Sequence, residues 1–196
     1  ADANRLVTYI PDPNTYKVTD YTYDGAAGDF PGMLVAQTIY YGGSPCTAAT
    51  TYYQYDDFGR QYKTLYPVGN ETTVSYDLGG RVSRRQQKDL NPVAGKSDRL
   101  MTMDYQYDTF GRLYRQIEKP DTDPNTSADW QTTEYAYGLG HRIQETKPNG
   151  VITQYDYNTF AEKIHQVADA GTGKINQTTD WAYNRLGRLE TITGYT

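Results

Sequence analysis

The chain has one cysteine and two histidines among 196 residues, and no apolar run near the ~20 residues that a membrane-spanning helix needs. A single thiol, Cys46, excludes an intrachain disulfide framework. As a lone thiol in Gly42-Gly43-Ser44-Pro45-Cys46 it is read as incidental and not as a nucleophile. His141 and His165 have no cysteine or carboxylate at metal-ligand spacing, so neither a zinc centre nor a cofactor is expected. Serine is scarce, and no Ser/His/Asp arrangement emerges. Aliphatic residues are few as well: the mean hydropathy is −0.82 and only 37% of residues are hydrophobic, too little for one thick aliphatic core. Basic charge is also short. A net charge of −5 with a pI near 5.0 lacks the electrostatic footprint of a nucleic-acid binder.

What is present is tyrosine, 21 residues of it, with 2 Trp, 4 Phe, 18 Gly and 9 Pro. This aromatic content and the modest net charge set the chain apart from disordered sequences. Tyrosine supplies a large apolar ring with a hydroxyl that can stay wet, so a tyrosine-rich chain packs while reading as polar. Tyr, Thr, Val and Ile favour strands, and Gly and Pro punctuate them.

The tyrosines fall in a repeat. Tyr55-Asp56-Asp57-Phe58-Gly59-Arg60, Tyr76-Asp77-Leu78-Gly79-Gly80-Arg81 and Tyr107-Asp108-Thr109-Phe110-Gly111-Arg112 share one pattern, and Tyr183-Asn184-Arg185-Leu186-Gly187-Arg188 varies it by one residue. Tyr137-Gly138-Leu139-Gly140-His141-Arg142 and Tyr157-Asn158-Thr159-Phe160-Ala161-Glu162 are degenerate copies, with His141 read at the glycine position. Tyr23-Asp24 opens a further copy interrupted between Gly25 and Gly32, and Asn4-Arg5-Leu6 resembles the tail of another. Leading tyrosines are spaced 32, 21, 31, 30, 20 and 26 residues apart. The two short spacings carry a Pro-x-Gly at their midpoint, Pro67-Val68-Gly69 and Pro148-Asn149-Gly150. The long ones swell there instead, at Asp89 to Asp98, Pro120 to Asp129 and Ala168 to Gly173.

Asp-x-x-Gly suits a type I turn closed by a left-handed glycine, with Asp accepting from the turn's own amides. Pro-x-Gly makes a second reversal. Two reversals per unit predict two strands of five to seven residues, hence an all-β antiparallel meander of repeated hairpins. The Tyr-Asp turns should then lie on one edge and the variable loops on the other. Gly111 is expected to be left-handed, whereas Gly171, in a variable loop, should accept a side chain. Aromatics two apart, such as Tyr53 and Tyr55 or Trp181 and Tyr183, share a face, and ring-on-ring ladders are expected there. The opposite face, with Thr, Gln, Lys and Arg, should be wetter. One Asp per repeat is turn chemistry; calcium loops need several oxygen ligands close together. The recurring Arg60, Arg81, Arg112, Arg142 and Arg188 are expected to pair with the turn Asp or to lie over a neighbouring ring. The glycine-rich stretches Gly25 to Gly32 and Gly171 to Lys174 lack the strand-then-helix context of a phosphate loop.

These units resemble the YD repeats of the Rhs type, found in bacterial Rhs proteins, in the B and C components of insecticidal Tc toxins and in teneurins. The resemblance covers essentially the whole chain. It implies a hairpin ribbon that curves or spirals into a hollow shell, which in Rhs and Tc proteins encloses a toxic C-terminal segment. The family's aspartyl self-cleavage signature is not found, since Asp12-Pro13-Asn14 and Asp123-Pro124-Asn125 lack its context. Residues 1–196 are therefore read as a single array of about seven repeats, a fragment of a larger shell from a secreted or cell-surface bacterial protein, although Ala1 to Arg5 has no part of a signal peptide. On this reading the chain is not an enzyme and has no catalytic, cofactor-binding or metal-binding residue. Its structural turn motif consists of Tyr55, Asp56, Gly59, Arg60, Tyr76, Asp77, Gly80, Arg81, Tyr107, Asp108, Gly111, Arg112, Tyr183, Gly187 and Arg188. Its partners are neighbouring repeats, with self-association through unpaired terminal strands. The alternative is a carbohydrate or cell-surface binding module that uses aromatic faces and edge loops.

Overall fold

A computed structural model describes residues 5–8, 17–25, 31–41, 47–90, 99–120, 130–171 and 173–195. Cys46, both Asp-Pro-Asn segments and residues 91–98 and 121–129 lie outside the described residues, as do residues 26–30 of the stretch between Gly25 and Gly32.

The described chain is all β, with strands in chain order: β1 (Arg5–Thr8), β2 (Lys17–Tyr23), β3 (Leu34–Tyr41), β4 (Thr47–Tyr55), β5 (Gln61–Leu65), β6 (Glu71–Tyr76), β7 (Val82–Asp89), β8 (Arg99–Tyr107), β9 (Leu113–Lys119), β10 (Gln131–Gly138), β11 (His141–Thr146), β12 (Ile152–Tyr157), β13 (Lys163–Ala168), β14 (Gln177–Tyr183) and β15 (Leu189–Tyr195). Two compact units divide at residue 102, inside β8. In the first, β1 to β7 pair antiparallel, each with the next. In the second, β9 to β15 do the same. Each unit is an antiparallel meander, so within it the Tyr-Asp turns share one edge and the other reversals share the opposite edge.

Strand length follows the loops in part. Strands flanking the Pro-x-Gly reversals run five or six residues (β5, β6, β11, β12). Those flanking the longer connections run from six to nine: β3, β4, β7, β8 and β10 reach eight or nine, beyond the expected five to seven, whereas β9, β13 and β14 stay within seven. The short reversals have the same geometry as the Tyr-Asp turns: Gly69 N–H donates to the Tyr66 carbonyl and Tyr66 N–H to that of Asn70, with Gly69 at φ 87°. Lys147 to Val151 repeats it around Gly150.

Among the described residues no side chain is fully enclosed, and the only buried hydrophobics are Ala36 and Ala170. Stability is spread over half-buried rings and ladder hydrogen bonds. In β4, β10, β12 and β14 the residue between the two aromatics (Gln54, Ala136, Asp156, Ala182) is more exposed than the rings beside it. The opposite face is not uniformly wet: Ala36 lies on it, opposite Thr22 rather than Tyr21. A small side chain there lets neighbouring strands' side chains close over it.

Six of the motifs also carry a β-bulge that the spacing does not reveal. The register shifts at Thr22/Tyr23, Gln54/Tyr55, Ser75/Tyr76, Ala136/Tyr137, Asp156/Tyr157 and Ala182/Tyr183. Tyr55 pairs with Gln61 and Gln54 with Lys63, leaving Tyr62 as the extra residue. The bulge exchanges the two faces of the outgoing strand, so Thr64 comes to lie opposite Tyr53, where it is buried.

Candidate functional site: the Tyr-Asp turn edge

The turn begins with the Asp carboxylate. Asp56 Oδ1 accepts from the amides of Phe58 (3.0 Å) and Arg60 (2.9 Å), while Oδ2 accepts from Arg60 Nε at 2.8 Å and pairs with its terminal nitrogen at 2.7 Å. Asp77 does the same with Gly79 and Arg81, and Asp108 with Phe110 and Arg112. The Arg60 side chain is the foremost cause that holds the Asp56 carboxyl below its ordinary value, and Arg81 acts likewise on Asp77. For Asp108, desolvation pushes upward, but the bonds from the Arg112 amide and side chain and from the Phe110 amide outweigh it. The glycine closes the loop: Gly59, Gly80, Gly111 and Gly187 have φ of 74°, 78°, 80° and 71°, a region that only glycine enters without a Cβ penalty. Asn184 accepts from the amides of Leu186 and Arg188.

The first copy keeps this closure despite its insertion. Gly32 N–H donates to Asp24 and Asp24 N–H to Met33, so Gly32 stands where Gly59 does and Met33 where Arg60 does. The copy at 157–162 exchanges the chemistry: Asn158 Nδ2 donates to Glu162 at 2.6 Å, and Ala161 takes the left-handed position at φ 65°. The copy at 137–142 departs from the expected register. Gly138 pairs with His141, leaving a two-residue turn of Leu139 (φ 49°) and Gly140 (φ 90°). His141 is thus the first residue of β11, without left-handed backbone, and stands in the place of Arg60. The turn is one residue shorter, so sequence alignment on Arg142 misplaces it.

Each turn then reaches the next repeat. The Arg60 guanidinium carbon lies 4.3 Å from the ring centre of Tyr76 and 4.9 Å from that of Phe58. Arg112 lies 4.6 Å from Tyr137 and 5.1 Å from Phe110. His141 stacks on Tyr157 at 4.9 Å between ring centres. The leading tyrosine's hydroxyl donates back to the preceding repeat: Tyr76 to the Gln61 carbonyl (2.8 Å), Tyr137 to Leu113 (2.7 Å), Tyr157 to Arg142 (3.0 Å) and Tyr183 to Lys163 (3.1 Å). Three of these acceptors, Gln61, Arg142 and Lys163, are the partners of the previous leading tyrosine across its bulge. Tyr55 donates to Leu34, the partner of Tyr23, in the same way. The expected ring-on-ring ladder is thus mainly a ladder of cations and phenols. Lys163 Nζ lies 3.9 Å from a Trp181 ring centre, and Lys119, paired with Asp104 at 2.6 Å, lies 4.2 Å from Trp130. Arg142 pairs with Glu145 and lies over Tyr135 and Tyr155.

On the other edge Asn70 of the short reversal accepts from the Leu90 amide at 2.9 Å, and Leu90 packs against Gly69 so closely that a Cβ there would meet it at 2.5 Å. His165 pairs with Asp180 across β13 and β14. Among the described residues no three His, Cys, Asp or Glu side chains converge as metal ligands, and no helix is long and apolar enough to cross a membrane.

No family model matches the chain, and no curated protein sequence does. Among solved structures, a chain of the Photorhabdus luminescens Tc holotoxin pore matches over 92% of this chain at 15% identity with a TM-score of 0.50. A complex of TcdB2, TccC3 and Cdc42 matches over 91% at 13% identity (TM-score 0.38), and a porin-like protein from Bacteroides uniformis over 97% at 13% identity (TM-score 0.39). The chain spans 11% and 13% of the length of the two Tc chains and 87% of the porin-like one. The two lower scores carry no weight for the fold. The chain is accordingly similar in fold to the matching Tc-toxin chain, and its antiparallel meander of β-hairpins is the fold that the resemblance of its repeats to YD repeats implies.

Proposed function

We propose that residues 1–196 are a single array of YD repeats forming a non-catalytic wall segment of a shell, which in the full-length protein helps to enclose a C-terminal toxin or effector. One observation carries this reading: the motif's reactive-looking groups are committed to neighbouring repeats. Asp56 closes its own turn, Arg60 covers Tyr76, and Tyr76 bonds back to Gln61. Such nearest-neighbour coupling builds a long wall, and in these motifs it ties up the groups that could act as nucleophile or base. The fold likeness to a Tc-toxin chain agrees with a secreted or surface-exposed bacterial protein. Limited proteolysis of the full-length protein tests the proposal. The segment beyond the array should resist digestion in the intact protein and lose that protection when residues 1–196 are deleted. Equal digestion of the two proteins would overturn it.

A carbohydrate-binding role rests on a cleft of about 400 Å³ on unit 1, where Tyr53, Tyr66, Gln37 and Arg85 present rings, an amide and a guanidinium. Glycan-array binding lost in Arg85→Ala would favour this reading; an array without signal would remove it.

A further inference from the structure

Asn149 is the only asparagine of the chain that a glycine follows. Asparagine is a chemically labile residue, most of all before glycine, where no Cβ hinders the next amide from reaching the side-chain carbonyl carbon. Asn149 is exposed at the tip of the reversal between β11 and β12, open to the water that the reaction needs. The closed turn nevertheless keeps the reacting atoms apart. Gly150 N–H donates to the Lys147 carbonyl and Lys147 N–H to that of Val151, each at 2.9 Å, and Asn149 Oδ1 accepts from the Val151 amide at 3.1 Å. Asn149 holds the third position of this turn, where a type I turn has ψ of about 0°. At that angle the Gly150 nitrogen points away from Asn149 Cγ, and its proton is held by a carbonyl. The asparagine side chain is not what builds the turn. Val68 has the same position in the reversal at 66–70, which the same two backbone bonds close around a left-handed Gly69.

We propose that Asn149-Gly150 is a self-modification site gated by its own hairpin. Closed, the turn blocks the reaction; opened, the chain converts Asn149 to isoaspartate, and the product no longer closes the turn. In the open state the Gly150 amide loses its proton to water and its nitrogen attacks Asn149 Cγ. The new N–Cγ bond forms, the Cγ–Nδ2 bond breaks, and the side-chain amide leaves as ammonia. Water then opens the five-membered imide at either carbonyl, giving aspartate or isoaspartate. No oxidant, reductant or cofactor takes part. Isoaspartate routes the main chain through Cβ and Cγ and so lengthens it by one methylene. Within a turn this tight, the bonds from Gly150 to Lys147 and from Lys147 to Val151 can then no longer both be made. The ladder beside it is short, pairing Gln144 with Gln154, Glu145 with Thr153 and Thr146 with Ile152, so little else holds this end of the hairpin. Each opening that reacts is therefore recorded in the covalent chain.

Peptide mapping by mass spectrometry reads the conversion in the whole chain, held in mildly alkaline buffer with and without guanidinium. Unfolded, Asn149 should convert faster than every other asparagine. Folded, it should convert at least about tenfold more slowly than unfolded, because the reaction waits on local opening. Pro148→Gly loosens the turn without touching the reacting pair; it should speed the folded rate several-fold and leave the unfolded rate nearly unchanged. A chain converted in guanidinium and then refolded should lose more of its denaturant midpoint than Asn149→Val taken through the same treatment. A folded chain that converts as fast as the unfolded one overturns the proposal, as does a folded rate that Pro148→Gly leaves unchanged. Equal losses of midpoint in the parent and Asn149→Val would overturn it as well, since the turn would then close around the product.

Discussion

The guanidinium of Arg60 lies 4.3 Å from the ring centre of Tyr76, and the hydroxyl of Tyr76 returns to the carbonyl of Gln61, the residue after that arginine. Two consecutive repeats are thereby joined in both directions by one residue pair. Tyr76→Phe keeps the ring under Arg60 and removes only the hydroxyl, so a loss of about 0.5–1.5 kcal/mol is expected from chemical denaturation. In a double-mutant cycle, Arg60→Ala and Tyr76→Ala should couple by about 0.5–1 kcal/mol. Additive losses would show that the repeats are joined by the sheet ladder alone.

Gly79 and Gly80 are adjacent and answer differently to a side chain. Gly80 sits at φ 78°, and Gly80→Val should cost about 1–2 kcal/mol or more. Gly79 occupies the position that Phe58 and Phe110 fill in other copies, without left-handed backbone, so Gly79→Phe should be neutral or slightly stabilising. Gly171 does not serve as a tolerant control for Gly111, as its loop position suggested, because its φ is 136°. Thermal unfolding of the two variants checks the difference. Equal losses at 79 and 80 would contradict the turn geometry.

Ala161 offers the reverse experiment. It holds the left-handed position at φ 65° with a Cβ. Ala161→Gly relieves about 1 kcal/mol or more of backbone strain and gives part of it back as unfolded-chain entropy. A net gain of about 0.5 kcal/mol is expected, seen as a higher denaturation midpoint. A loss would mean that the Ala161 methyl makes a packing contact worth more than the strain.

Acid should unfold the chain through its turns. The carboxyls of Asp56 and Asp77 are held below their ordinary 3.8, each chiefly by its arginine partner. A carboxyl with a depressed folded value stabilises the fold fully above its unfolded value and loses that contribution as pH falls through the folded one. Stability should be level near neutrality and decline below about pH 4, with Asp77→Asn flattening the decline. At the alkaline end burial raises Tyr53, Tyr135 and Tyr155 above 10.0. Their contribution is present below pH 10.0 and is lost as pH rises through the folded values. Circular dichroism across pH measures both limits. A decline already complete at about pH 5 would rule out the Asp–Arg turns as its cause.

Sequence alone accounts for the local units. Asp at the first position, glycine at the left-handed one and proline before the second reversal each restrict one residue's backbone or satisfy one amide. Such restrictions act within about five residues and can be read without knowing what lies alongside. For that reason the turns, the alternating faces and the meander order were legible. Whatever depends on a strand's neighbour came instead from the tertiary structure. The bulge beside Tyr55 is a mismatch between two strands, invisible in either alone, and it sets which side of β5 carries Thr64. The short turn that moves His141 into the place of Arg60 was fixed by pairing Gly138 with His141, against the alignment of the letters. The destinations of Arg60 and Arg112 were settled in the same way. The aspartate of each lies four residues off in the chain, but the ring it covers belongs to the next hairpin, brought within about 5 Å only because adjacent strands pair.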